Sequence, residues 1–256
     1  MTISTDDKPL DLAGKVALVT GATRGLGLAI ARKLCLCGCE VIVNFSADTD
    51  AAEAAVRQLS GLGGKVEAIQ ADISEPADVS RLLEQIGRTY GRLDILVHNA
   101  GVFHPMRADD LRTEECGQDM AVALGPLLHG VGILGTMLPE GSGRIIAISS
   151  TGAHVAVPGY AGLAMAKAAV ESLVRYLAVE FASRSITVNA VTVGKLDKGA
   201  AADPAGVGAR IVARTPAGRL TRASDVADVV ALLCRPEAAW IRGQSIVVDG
   251  GLSLTA

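Results

Sequence analysis

At 256 residues, half of them hydrophobic, the chain is long enough to bury a sizeable core as one α/β domain. A formal charge of -3, dispersed over both signs, excludes a phosphate-backbone stripe or a basic membrane patch, so neither nucleic acid nor membrane is an expected partner. The polar, acidic start MTISTDDKPLDLAG, with no apolar span of about 18 residues after it, predicts a cytoplasmic protein.

Short β-branched and aliphatic runs then recur along the chain: VALVT (16–20), VIVNF (41–45), VEAIQ (66–70), ILVHN (95–99), RIIAIS (144–149), TVNAVT (187–192) and SIVVD (245–249). Helix-like segments separate them. Continuous apolar strands joined by helical crossovers predict a Rossmann-type, doubly wound, seven-stranded parallel sheet in a single domain, residues 1–256. The Gly- and Ala-rich stretch GKLDKGAAADPAGVG is the loosest part, and residues 194–216 are expected to form a mobile substrate loop. Five cysteines in a chain without an export signal are read as reduced thiols. Cys35, Cys37 and Cys39 alternate at a helix end, so their side chains are expected to diverge as small buried residues, and no metal site is predicted.

The first strand is followed by Thr20-Gly21-Ala22-Thr23-Arg24-Gly25-Leu26-Gly27 and then by the helical run AIARKL. Glycines let the backbone turn tightly and approach a pyrophosphate, and the N–H groups opening the helix favour its negative charge. Residues 21 and 23–27 are therefore the predicted dinucleotide cradle.

At this turn the chain resembles the short-chain dehydrogenase/reductase family. Thr20, Gly21, Gly25 and Gly27 match its TGxxxGxG motif, and His98-Asn99-Ala100-Gly101 is similar to its NNAG motif. The resemblance implies adenine contacts from Asp72 and Ile73, cofactor contacts from Asn99, Ala100 and Gly101, and a homo-oligomer, usually a tetramer, that moves hydride to or from a nicotinamide. An acid after the second strand would bind the ribose hydroxyls of NAD and repel the 2′-phosphate of NADP. Phe45 and Ser46 stand there instead, Ser46 being the expected ribose neighbour, and the Arg24 guanidinium suits a 2′-phosphate. Asp48 close by weakens that case. NADP(H) is the preferred cofactor, with NAD(H) the alternative.

The segment Pro158-Gly159-Tyr160-Ala161-Gly162-Leu163-Ala164-Met165-Ala166-Lys167 departs from the family, whose catalytic Tyr sits four residues before the Lys, where this chain has Leu163. Tyr160 lies seven residues before Lys167, and seven steps of about 100° return to nearly the same helix face. Tyr176 faces roughly away and Tyr90 belongs to another helix. A Tyr-x6-Lys pair resembles the enoyl-acyl-carrier-protein reductases, and RYLAVEFASRSITVNAV, RTPAGRL and IRGQSIVVDGG are similar to the NADPH-dependent type III enzymes.

Chemistry supports the displacement. In ketone reduction, hydride and proton go to one carbonyl group. In enoyl thioester reduction, hydride goes to the β-carbon and charge develops on the distant thioester oxygen, and three helical residues move the acid by about 4.5 Å. Tyr160, Lys167 and Ser150 are the predicted catalytic set: Tyr160 stabilises the enolate, Lys167 binds the nicotinamide ribose and favours the phenolate, and Ser150 either positions the substrate or satisfies local backbone. His154 is read as a solvated or locally hydrogen-bonded loop residue.

Two further departures bear on the site. The relay Asn of the family's fourth helix is replaced by Ala123, and the usual Thr after the sixth strand by Lys198, leaving the backbone of Leu196 to meet the carboxamide. Three functions stay open: an enoyl thioester reductase acting on acyl-carrier protein or coenzyme A, with Lys195, Lys198, Arg210 and Arg214 as candidate phosphate contacts; a reductase of another small carbonyl or cyclic enone; and a catalytically lapsed nucleotide-binding subunit.

Overall fold

The computed structural model describes residues 11–199 and 206–255. Seven strands form one sheet: β1 (Val16–Thr20), β2 (Glu40–Phe45), β3 (Val66–Gln70), β4 (Ile95–His98), β5 (Arg144–Ser150), β6 (Thr187–Val193) and β7 (Ser245–Val248). Their order is β3-β2-β1-β4-β5-β6-β7, every neighbouring pair parallel. The direction of winding reverses between β1 and β4, which opens a crevice at the carboxyl ends of those two strands.

Alternation along each strand sorts the core into two layers. Val16 and Leu18 of β1, Leu96 of β4, and Ile145 and Ala147 of β5 face α3 (Pro76–Tyr90), α4 (Thr113–His129), α5 (Val131–Met137) and α6 (Ala161–Glu180). Ala17, Val19, Ile95, Val97, Ile146 and Ile148 face α1 (Gly25–Leu36), α2 (Thr49–Leu59) and α8 (Ala223–Leu233) on the other side. Both faces are covered, which is why these strands read as unbroken apolar runs. No single helix among the described residues is long and apolar enough to cross a membrane.

The strand ends differ from the expected ones for identifiable reasons. β4 stops at His98 because the Asn99 N–H donates to the Thr20 hydroxyl instead of a ladder carbonyl. β7 stops at Val248 because the Asp249 carboxylate accepts from the N–H groups of Gly251 and Ser253 and forms a local turn. Within 194–216, residues 200–205 lie outside the described residues, and Val207–Arg214 is a helix, α7, not a continuous loop.

The alternating cysteines are small buried residues, as expected. Cys35, Cys37 and Cys39 are all buried in one apolar cluster, which also holds Cys234 of the α8 C-terminus. Burial pushes the Cys35 thiol up to about 11 and that of Cys234 to about 12, so the thiols behave as small hydrophobes. On the other face, α4 approaches the sheet so closely that a Cβ at Gly125 would lie 1.8 Å from the Ile73 carbonyl oxygen.

Candidate active site

The β1–α1 turn lies at the crevice. Gly21 and Gly25 have φ of 61° and 57°, where glycine carries no Cβ penalty. Gly27 is constrained differently: a Cβ there would stand 2.2 Å from the Gly21 carbonyl oxygen and 2.6 Å from Asn99 Nδ2. The Asn99 amide donates to the carbonyls of Thr20 and Gly21 at 3.0 and 3.1 Å, tying the turn to the end of β4. No side chain caps the N-terminus of α1, so its first N–H groups stay available to an anion. Thr23 and Leu26 flank these groups half-buried, and the Arg24 side chain is exposed without a hydrogen-bond or ion-pair partner among the described residues. These features fit a dinucleotide pyrophosphate.

Along the crevice, Ser46 is exposed after β2, its carbonyl accepting from Gln70 Nε2 at 2.8 Å. Asp48 caps α2, accepting from the Ala51 N–H at 2.9 Å. Asp72 is exposed beyond β3 and holds Ser74 through its carboxylate, whereas the Ile73 side chain is buried in the core. Leu196, half-buried, pairs through its backbone with Thr221.

A buried histidine joins the crevice to α4. The Thr20 hydroxyl accepts from the N–H groups of Asn99 and Ala100, both at 3.0 Å, so its own proton points to His98 Nδ1, also at 3.0 Å. His98 Nε2 therefore carries the ring proton and donates to the Ala123 carbonyl at 2.7 Å. Burial and the Lys167 charge push this imidazole down to about 4, and the ring is neutral. Replacing His98 with Ala strands the Ala123 carbonyl and opens a cavity. We expect a loss of roughly 2–4 kcal/mol in chemical denaturation.

Tyr160 and Ser150 come together over Gly152, and Lys167 of α6 reaches the strand of Ser150 at Ile148. Tyr160 precedes α6 and its ring lies over Gly152, where a Cβ would come within 2.6 Å of two ring carbons. Ser150, at the end of β5, accepts from the Gly152 N–H at 3.2 Å and also hydrogen-bonds the Tyr160 hydroxyl. The serine thus satisfies local backbone, one of the two roles its sequence position suggested. Burial raises the Tyr160 phenol above its ordinary value, against the lowering effect of Ser150, so the group is a protonated acid at neutral pH. Leu163 is turned into the core at 7% exposure.

Lys167 is buried, its Nζ donating to the Ile148 carbonyl at 2.7 Å and facing Gly101, where a Cβ would stand 3.7 Å away. Burial lowers its ammonium from 10.5 to about 8. The unfolded chain keeps this proton up to the ordinary value while the fold releases it near 8. Between those limits the unfolded state binds more protons, so the stability of the cofactor-free protein rises with pH, and below about 8 the buried charge is a constant cost. In Lys167→Met that rise should be absent from denaturation midpoints measured across the same window.

Other neighbours of Tyr160 carried no readable sequence signal. The Phe103 ring packs against it at 5.2 Å, and Met106 forms a backbone bridge to it. His154 is not simply solvated: its Nε2 lies 2.7 Å from the buried Glu171 carboxylate, which also accepts from Thr192. A second pair, His104 with Asp119, lies beside the Phe103 to Met106 segment.

A family model described as enoyl-(acyl carrier protein) reductase matches residues 21–253. The chain is 37% identical to a 1-cyclohexenylcarbonyl-CoA reductase of Streptomyces collinus over 94% of its length and 88% of that protein's. It is 35% identical to the 3-oxoacyl-[acyl-carrier-protein] reductase of Escherichia coli, covering 95% of this chain and 99% of that one. Among solved structures it is similar to a short chain dehydrogenase of Burkholderia cenocepacia in complex with NADP, at a TM-score of 0.85 and 33% identity, over 94% of this chain and 99% of that one.

Proposed function

Because the chain belongs to the short-chain dehydrogenase/reductase family of oxidoreductases, we propose that it reduces the α,β double bond of an enoyl thioester, carried by coenzyme A or acyl-carrier protein, with NADPH. The observation that carries this reading is the proximity of Tyr160 to Ser150, with Lys167 bound to the strand of Ser150 at Ile148, while position 163 holds a leucine packed in the core. The proton donor is thereby displaced along the cleft toward an oxygen remote from the carbon that accepts hydride. Similarity to a relative named as a reductase of an unsaturated CoA thioester agrees with it.

Bound NADPH would supply hydride to the β-carbon. The Gly21 to Gly27 turn would hold its pyrophosphate, Arg24 its 2′-phosphate beside Ser46, and the Lys167 ammonium its nicotinamide ribose. Asn99, Ala100 and Gly101 would form the floor of this channel, Asp72 with the backbone of Ile73 its adenine end, and the backbone of Leu196 its carboxamide end. The NADP preference rests on the unpaired Arg24 and on the absence of an acid directly after β2.

The Tyr160 hydroxyl, steadied by Ser150, donates to the thioester oxygen as it takes up negative charge. Lys167 places a positive charge in the same buried region and favours that charge build-up. Phe103 against Tyr160 gives the cleft an apolar wall suited to an acyl chain. Exposed apolar side chains, Tyr176 and Val179 on α6 and Trp240 after α8, support a homo-oligomer, with a tetramer as the expected species by sedimentation.

A second reading, reduction of a carbonyl group, is favoured by the similarity to a 3-oxoacyl reductase. Absorbance of reduced nicotinamide separates the two. Saturable oxidation of NADPH with crotonyl-CoA or crotonyl-acyl-carrier protein, and none with 3-oxoacyl thioesters, supports enoyl reduction. The opposite pattern overturns it.

A further inference from the structure

Enoyl reduction builds charge at one atom, the thioester oxygen, and takes its one proton at another, the α-carbon. Tyr160 serves the thioester oxygen, which leaves the α-carbon without a donor. A donor there needs a titratable side chain at the cleft edge, with one ring atom oriented by a fixed partner and the other free.

His104 has these properties. It lies between Phe103, whose ring packs on that of Tyr160 at 5.2 Å, and Met106, whose backbone pairs with that of Tyr160. Its Nδ1 stands 2.8 Å from Oδ1 of Asp119 on α4. A carboxylate at this distance fixes Nδ1 as the protonated atom and leaves Nε2 as the atom that exchanges. Nε2 has no hydrogen-bond partner among the described residues, and 26% of the side chain is exposed.

Asp119 is held firmly. It is fully buried, and its second oxygen lies against the first turn of α6, where a Cβ at Gly162 would stand 2.9 Å from it. Among the described residues that oxygen has no partner, and the hydrogen bond of this carboxylate goes to His104. Its charge reaches Tyr160 and helps to keep that phenol protonated. The other such pair, His154 with Glu171, exerts no comparable influence on Tyr160.

We propose that His104, oriented by Asp119, is a second catalytic acid and protonates the substrate α-carbon. This inference rests on the enoyl thioester reading. As the β-carbon accepts hydride from reduced nicotinamide, its C–H bond forms and the π pair shifts to give the enolate held by Tyr160. The enolate pair then takes the Nε2 proton of the His104 imidazolium, whose Nδ1–H faces the Asp119 carboxylate: the Nε2–H bond breaks, the α-carbon C–H bond forms, Nε2 keeps the electron pair, and neutral His104 remains with its proton on Nδ1. Water at the exposed ring edge returns the proton. Hydride and proton together complete the saturated thioester.

The test uses the full chain with NADPH and crotonyl-CoA in deuterated buffer, comparing wild type with His104→Gln and Asp119→Asn. Wild type should place one deuterium at the α-carbon on a single face. Gln keeps an N–H for Asp119 but cannot exchange a proton. His104→Gln should therefore lose about 100-fold in kcat, keep KM and NADPH affinity within a few fold, and scatter α-deuterium over both faces. Asp119→Asn should show the same pattern more weakly.

Wild-type kcat with single-face labelling in His104→Gln overturns the assignment while leaving enoyl reduction intact. A loss of NADPH affinity and melting temperature with single-face labelling overturns it too, in favour of a packing role. Absence of enoyl turnover in wild type that still binds NADPH sinks the enoyl reading itself and this inference with it.

Discussion

Tyr160→Phe is expected to lose about 100- to 1,000-fold in kcat on a crotonyl thioester while still binding NADPH. Removing one preorganised donor from a developing oxyanion costs about 3–4 kcal/mol of transition-state stabilisation, because a buried site lacks the water that would otherwise replace it. The loss should fall on kcat more than on KM, since the hydroxyl serves charge that exists only in the transition state. The phenylalanine ring keeps the packing on Gly152 and Phe103, so the melting temperature should barely move. Adding Leu163→Tyr to this variant should not restore enoyl turnover, because position 163 points into the core. Full activity in Tyr160→Phe would remove the residue from the mechanism.

The second large effect is expected at Gly27. A methyl group there meets the Gly21 carbonyl oxygen at 2.2 Å and the Asn99 amide at 2.6 Å, both parts of the clasp between β1 and β4. The Gly21 oxygen, and the Ala22 Cα at 2.9 Å, belong to the backbone, so backbone must move and the pyrophosphate cradle opens. Gly27→Ala should raise the NADPH Kd at least 100-fold by fluorescence titration and cost about 1–3 kcal/mol of stability. Gly25→Ala is the informative comparison: nothing lies within 4 Å of the added carbon, but φ is +57°. Its cost is conformational, about 1 kcal/mol, with cofactor binding largely kept. Equal effects at the two positions would contradict this division between contact and conformation.

Much of the fold was legible because its signals are local. Strands buried on both faces wrote themselves as runs such as VALVT and RIIAIS, and the glycine turn announced itself by lying between the first run and the first helix. The spacing of Tyr160 and Lys167 was readable, although Tyr160 is the residue before α6 and not part of the helix. What was hidden depends on contacts distant in sequence. Nothing in His98 reveals that it bridges Thr20 to Ala123, and nothing in Phe103, His104 or Met106 reveals that they line Tyr160. Cys234 is far from Cys35 in sequence, so the shared thiol cluster appears only after α1 and α8 pack together. His154 was read as solvated or locally hydrogen-bonded, and its partner Glu171 was not named because that buried residue lies on another element.

The depressed proton affinity of Lys167 also has a calorimetric consequence. In the empty protein near pH 8 about half of these side chains are neutral. An anionic dinucleotide beside the amine favours its charged form, so binding draws a proton from the medium. The apparent heat of NADPH binding should then vary linearly with the ionisation enthalpy of the buffer, with a slope approaching one half of a proton per site. That slope should shrink toward zero in more acidic buffers, where the amine is already charged.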